Sequence, residues 1–348
     1  MGRNMIEANE KLFTSLEMHC ERRGDPVVSP GAGRWVQGDS TASDWLAGLV
    51  VLDKLEFGFH RSLIHMQLDG THFIGLVGFE FRIELTNVIP VPINPGALVV
   101  MLSQTRVEPT ASPARIRNVV EAAHKGEHGY DGHDAALVED LYPALTLLQL
   151  DDPIDSDTAW RAFFQLCANE CGQGGSWVSA ALAAELGGLA NMNVPSLPYE
   201  QLCRSMFDLD PRSMYMALYR CVEATYAFES CRKLVASLGL SLTWQELATA
   251  LERELSWHPR EASSLNLVLK YAEQRDLAQV CTCLSRDVSD DPIVSAGRAI
   301  YDLRNRIVHY RLGHDTVDVD GIDWNLLCTL LIAIVFNVFT TAFKPDAV

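Results

Sequence analysis

The chain has 348 residues, more than one hydrophobic core comfortably serves, so two domains are expected. Hydrophobic residues make up 48% and charged residues 21%, which excludes an extended disordered chain, and no low-complexity tract or solenoid-length repeat is present. A net charge of −17 argues against a surface built throughout for phosphate contacts, but the acidity is uneven: residues 1 to 200 carry 13 basic against 26 acidic residues, and residues 201 to 348 carry 15 against 19, 12 of the 15 being arginine.

In chain order, residues 5 to 22 read as a helix, and the N-terminus lacks the apolar segment of a secretory signal. "STASDWLAGLVVLDKL" reads as a second helix with Ser or Asp capping options. "FEFRIEL" alternates Phe79, Phe81, Ile83 and Leu85 against Glu80, Arg82 and Glu84, a strand pattern, and "ALVVMLSQ" is expected to be another strand after the proline-rich "NVIPVPINPG". Residues 1–110 are therefore an α+β region of unknown role. Residues 111–200 read as a helical segment: "PARIRNVVEAAH", "DAALVEDLYPALTLLQL", "DTAWRAFFQLCANECG" and "SWVSAALAAELGGL". "NMNVPSLP" is the expected boundary to an all-helical region, 201–348.

That last region opens with "PRSMYMALYRCVEATYAFESCRKLVASLG", expected as one long amphipathic helix with Gly239 past its end. "TWQELATALEREL" follows with a capping box of Thr243 and Glu246. "EASSLNLVLKYAE" and the helix containing "YDLRNRIVHYR" come next. The final run, Trp324 to Phe343, has no charge for 20 residues, long enough to span a bilayer. Five polar residues dilute it and only Lys344 follows as a basic anchor, so a buried bundle helix is expected and a membrane is not. Nine scattered cysteines without zinc spacing suit buried free thiols in a reducing cytoplasm.

On a helical projection of "YDLRNRIVHYR", Arg298, Asp302, Asn305 and His309 form a narrow polar stripe opposite Ala296, Ile300, Leu303 and Ile307. The plain reading is a solvated face with Asp302 paired to Arg298 or Arg306. The chemical reading is that Asn305 orients His309, a general acid or base, while Asp302 or Arg298 biases its protonation. Arg304 projects away from the stripe.

"LRNRIVH", Leu303 to His309, resembles the Arg-x4-6-His motif of the HEPN family, the nucleotide-binding domains of higher eukaryotes and prokaryotes, including the Apea-like, abortive-infection type. The likeness extends over residues 205 to 343 through a long early helix with "LYRCVEATY" and an apolar closing helix; the first 200 residues resemble no family. The resemblance implies an all-α HEPN-like helical bundle that acts as a homodimer on RNA, a cytoplasmic and prokaryotic ribonuclease of antiviral defence or stress. Its reaction is metal-independent: the 2′-hydroxyl attacks the adjacent phosphate, leaving 2′,3′-cyclic phosphate and 5′-hydroxyl ends. Carried over, Arg304 binds the scissile phosphate, His309 transfers protons and Asn305 positions one of them. By charge, Arg298, Arg306 and Arg311 are assigned phosphate contact. Asp302 and Glu223 are supporting residues, Glu223 alternatively pairing with Arg220. The acidic N-terminal region has three readings that the sequence leaves open: repelling stray RNA, mimicking phosphate as an inhibitor, or docking a regulatory partner. Other members of the family do not cut RNA, so the alternative is a non-catalytic protein- or nucleotide-binding module.

The remaining motifs weigh less. "HKGEHGYDGHD" gathers His124, Glu127, His128, Asp131, His133 and Asp134, but its three glycines argue for a connector. "GHDTVDVDGID" lacks the acidic positions of a calcium loop, and Asp320 or Asp323 is expected to cap the last helix. "CGQGGS" has no lysine for a phosphate loop. No metal or cofactor is expected.

Overall fold

The computed structural model describes residues 5–79, 88–150, 156–192, 194, 197–308 and 321–343. They form two compact units, Met1–Ala159 and Trp160–Val348, so the division falls upstream of "NMNVPSLP". The first unit is α+β and the second is all helical.

In the first unit α1 (Met5–Arg22) and α2 (Ser40–Gly48) precede three strands, β1 (Val50–Phe57), β2 (Arg61–Leu68) and β3 (Thr71–Val77). Then come β4 (Val88–Val91), α3 (Pro95–Gln104), α4 (Pro113–Val120), α5 (Ala135–Glu139) and β5 (Leu145–Leu150). All pairings in the sheet are antiparallel, in the order β1-β2-β3-β5-β4. β2 and β3 join through Asp69 and Gly70, both at positive φ (48° and 84°), the backbone a two-residue hairpin needs. Buried side chains of α1 and α3 close over the sheet through Leu12, Leu16, Ile64, Met66, Phe73 and Val100.

Three expectations need correction here. "STASDWLAGLVVLDKL" is helical only to Gly48, after which β-branched Val50 and Val51 begin strand β1. "ALVVMLSQ" is helix α3: a continuous apolar run has no period of its own, and Asn94, whose Oδ1 accepts from Gly96 N at 2.7 Å, with Pro95 behind it starts a helix. In "DAALVEDLYPALTLLQL" the helix stops at Glu139, and the residues beyond Pro143 enter the sheet as β5 between β3 and β4. The alternation expected in "FEFRIEL" lies, apart from Phe79, outside the described residues.

Helix α6 (Ser156–Glu170) spans the division and runs into a π-helical turn at Cys171–Gly175. The second unit continues with α7 (Ala180–Ala190), α8 (Tyr199–Phe207), α9 (Arg212–Glu223), α10 (Phe228–Leu238), α11 (Trp244–Leu255), α12 (Glu261–Val268), α13 (Gln274–Cys283), α14 (Pro292–Val308) and α15 (Trp324–Ala342). The long helix expected from Pro211 to Gly239 is two, because Thr225, Tyr226 and Phe228 bond three residues back, to Val222, Glu223 and Thr225, in place of the α-helical four. Gly239 does cap α10 at φ 61°, and Thr243 with Glu246 does form the capping box of α11. Helix α13 had no expectation attached to it.

Helix α15 is long and apolar enough to cross a membrane, and it is packed against α7, α9 and α13. Eleven of its residues are buried, among them Leu327, Leu331, Ile334, Val335 and Phe339, while Phe336, Thr340 and Thr341 lie on an exposed stripe. Asp323 caps it, and Asn325 turns its amide to α7, accepting from Ser179 N at 2.7 Å and donating to Trp177 O at 3.4 Å. None of the nine cysteines is in a disulfide, and eight are buried.

The sheet also holds a buried imidazole pair. His65 Nε2 and His72 Nδ1 lie 2.8 Å apart, Gln67 Nε2 reaches His72 Nε2 at 3.1 Å, and Asp53 stands 4.0 Å from His65 Nδ1. A hydrogen bond between two imidazole nitrogens needs one donor and one acceptor, so at least one ring is neutral. Burial, and then the neighbouring His72, lower the pKa of His65 against the pull of Asp53. The unfolded chain takes up a proton near pH 6.5 that the folded chain resists, so stability falls as the pH drops below about 6.5 and goes on falling to the folded pKa. Buried His19 and His133, also lowered by burial, act in the same direction. The unfolding temperature is expected to be lower at pH 5.5 than at 7.5, with a smaller drop in His65→Gln; an unchanged drop in that variant would remove His65 from the account.

Candidate functional site

The sequence-level site centres on α14, and two neighbours fix that helix. Gly297 is buried, and a Cβ on it would lie 2.1 Å from Asn266 Oδ1, so the glycine lets α12 come close to α14. From α9 the phenol of Tyr215 donates to the carbonyl oxygen of Ile300 at 2.6 Å. Ala296, Ile300 and Leu303 are buried as the projection requires.

Arg304 lies against α9 and the first turn of α12. Its side chain is 17% exposed, and its guanidinium lies 5.8 Å from the ring centroid of Tyr219. Nη1 donates to Asn305 Oδ1 at 3.0 Å, and Nη2 stands 3.5 Å from Glu261 Oε1 at the first turn of α12. Nε is buried with no hydrogen-bond acceptor among the described residues. Tyr219 is fixed in turn: it is 1% exposed, stacks against Tyr215 at 6.4 Å, and accepts from the Tyr226 hydroxyl at 2.9 Å. Burial raises the pKa of both Tyr219 and Tyr226, so both phenols stay protonated well into alkaline pH.

The other expected residues scatter. Asn305 Oδ1 accepts from Arg304 Nη1. Asp302 pairs with neither Arg298 nor Arg306 but with Arg286 Nη2 at 3.4 Å. Arg298 and Arg306 are exposed on α14. Glu223 lies close enough to raise the pKa values of Tyr219 and Tyr226, while Arg220, its expected partner, donates to Gln201 Oε1 at 2.7 Å. His309 and Arg311 lie outside the described residues; α14 is described to Val308, one residue short of the histidine. Sequence reasoning missed Tyr219, Tyr226 and Glu261. Tyr219 stands inside "LYRCVEATY" and was legible as part of that motif, but Glu261 comes from a different helix and carried no signal.

In the first unit the residues of "HKGEHGYDGHD" take separate partners. His124 pairs with Glu127 at 3.0 Å, Asp131 accepts from Gln37, Asp134 caps α5, and His133 is buried against Phe13 and Tyr130. Among the described residues no three His, Cys, Asp or Glu side chains come together as a metal site. Comparisons with known protein families, with curated proteins and with solved structures return no match.

A guanidinium is permanently charged and offers five N–H donors in a plane. Here it is half buried, supported on one aromatic face, and among the described residues matched only by an adjacent amide and a loose carboxylate contact. Such a cation adds little to folding, because its desolvation is poorly repaid. Arg304→Met is therefore expected to shift the unfolding temperature by no more than about 2 °C in either direction, within roughly 1 kcal/mol for a unit of this size. A fall of 5 °C or more in thermal unfolding would make Arg304 a structural residue.

Proposed function

We propose that the chain is a HEPN-type endoribonuclease with Arg304 as its phosphate-binding residue. The observation that carries the reading is the Arg304 guanidinium held over Tyr219 with a buried Nε that has no acceptor among the described residues, five residues ahead of His309 in the motif. A phosphodiester supplies what this cation lacks, anionic oxygens able to accept two N–H bonds at once.

In the proposed reaction the RNA 2′-oxygen attacks the adjacent phosphorus and loses its proton to a base. The bond from phosphorus to the 5′-oxygen breaks, and that oxygen receives a proton from an acid. Arg304 stabilises the charge gathering on the non-bridging oxygens, and Asn305 fixes the guanidinium through its Oδ1. His309 carries the proton transfer; one step needs a base and the other an acid, which two motifs facing each other in a homodimer supply. Arg298 and Arg306, exposed on the same helix, extend the path of the RNA backbone. Glu261 holds the place of the absent anion and has to yield it when phosphate binds. The setting consistent with this reading is the cytoplasm.

A non-catalytic binding module is favoured by one observation, that same Glu261 contact, which leaves the guanidinium partly satisfied without any ligand. RNA cleavage by the purified protein in EDTA separates the two. The nuclease reading predicts cyclic phosphate ends by mass spectrometry, lost at least a hundredfold in both Arg304→Ala and His309→Ala. Absence of cleavage by a folded homodimer over a broad RNA panel favours the binding module.

A further inference from the structure

A cavity of about 370 Å³ lies wholly within the first unit, between α1, α2, the start of α3 and the segments 33–38 and 124–134. Its size is at the lower end of small-molecule sites, which run from roughly 300 to 1,000 Å³, and is too small for a folded peptide or an oligonucleotide.

The walls are set by backbone bonds. Lys125 N donates to Gly33 O at 2.7 Å, His133 N to Trp35 O at 2.8 Å, Gln37 N to His133 O at 2.8 Å, and Val36 N to Asn9 Oδ1 at 2.9 Å. Two glycines shape the lining. A Cβ on Gly132, at φ 98°, would fall 2.7 Å from Trp35 Nε1, so glycine there leaves the indole its place beside the Tyr130 ring, 4.4 Å away. A Cβ on Gly33 would press on the Lys125 stem at 3.2 Å, so the lysine chain lies directly across that backbone.

The charges at the cavity are unmatched. Among the described residues neither Lys125 nor Glu10 has an ion-pair partner, and Asp131 accepts one bond, from Gln37 Nε2 at 3.0 Å. The charge of Arg34 is already spent: its side chain is buried on Glu17 at 2.7 Å and on the carbonyl of Val120 at 2.9 Å. Between the charges the floor is apolar, with Val36, Leu46 and Val99. Among the described residues one cation without an ion pair and two carboxylates stand around this floor, and they complement a ligand with an anionic end, a cationic end and an apolar body.

We propose that this cavity binds a free α-amino acid with an apolar or aromatic side chain, its carboxylate on Lys125, its ammonium on Glu10 and Asp131, and its side chain against Trp35 and the apolar floor. The inference stands apart from the reading of Arg304. It also gives "HKGEHGYDGHD" a role: its glycines and Tyr130 set the aromatic wall, and Lys125 and Asp131 supply two of the three charges.

The test is thermal unfolding and titration calorimetry of the full chain with L-leucine, L-phenylalanine and L-tryptophan, beside tryptamine, which lacks the carboxylate, and indole-3-propionate, which lacks the ammonium. At least one amino acid is expected to raise the unfolding temperature by about 5 °C at a hundred times its Kd. Both analogues should bind at least tenfold more weakly than tryptophan or fail to bind, and Lys125→Ala and Glu10→Gln, both at exposed positions, should weaken the amino acid by a similar factor. The proposal is overturned if no amino acid binds, if the analogues match tryptophan, or if both variants bind as the wild type does.

Discussion

Helix α15 buries eleven of its nineteen residues against α7, α9 and α13, and the geometry of the C-terminal unit depends on that burial. Each fully buried Leu, Ile, Val or Phe contributes about 1.5–3 kcal/mol, so the helix brings on the order of 20 kcal/mol of favourable transfer before chain entropy is subtracted. Two of its ends are tied by polar bonds that lipid could not supply: Asn325 clamps the start of α7, and Trp244 Nε1 donates to the Ala342 carbonyl at 2.8 Å. Helix α9 is seated on α15 through Tyr215, whose ring meets Trp324 edge-on at 6.2 Å. The same Tyr215 hydroxyl holds α14, and one turn later Tyr219 carries the Arg304 guanidinium. A run that looks in sequence like a membrane span thus fixes the position of a cation several elements away.

That cation lies off the polar stripe of α14 and differs from the exposed arginines on the same helix. Exposed arginines on a helix find carboxylates four residues away and gain a few tenths of a kcal/mol. Arg304 instead loses most of its hydration against Tyr219, keeps one N–H without an acceptor among the described residues, and meets Glu261 at a distance too long for a strong charge-assisted bond. Folding alone does not reward this arrangement, whereas an anion reaching the guanidinium would be rewarded by the unsatisfied Nε. Under the proposed reading Glu261 sets the threshold: its carboxylate, 3.5 Å from the guanidinium, would compete with an incoming phosphate.

The legible parts of the sequence were those with a local physical signal. The capping box at Thr243, the αL glycine at 239, the Asp323 cap and the apolar face of α14 are all written within a few residues of where they act. The sheet was largely missed, although Asp69-Gly70 between two apolar runs is a strong hairpin signal that deserved more weight than the helical look of "GLVVLDKL". "ALVVMLSQ" and "LTLLQL" show the limit of periodicity, since both are continuous apolar runs and only Asn94-Pro95 before one and Pro143 before the other separate helix from strand. The site was half legible. Arg304 and Asn305 stand in a recognisable motif, but Glu261 reaches the guanidinium, and Tyr219 lies under it, only through tertiary contacts between separate helices.

The central claim is that Arg304 is a phosphate site which Glu261 occupies until RNA arrives. Its most direct test is fluorescence anisotropy of a 2′-O-methyl RNA oligonucleotide, which cannot be cleaved by its own 2′-oxygen, titrated with wild type, Arg304→Ala and Glu261→Gln at low and moderate salt. The account predicts at least tenfold weaker binding and a shallower salt dependence for Arg304→Ala, and several-fold tighter binding for Glu261→Gln. Equal affinities for all three proteins would contradict it.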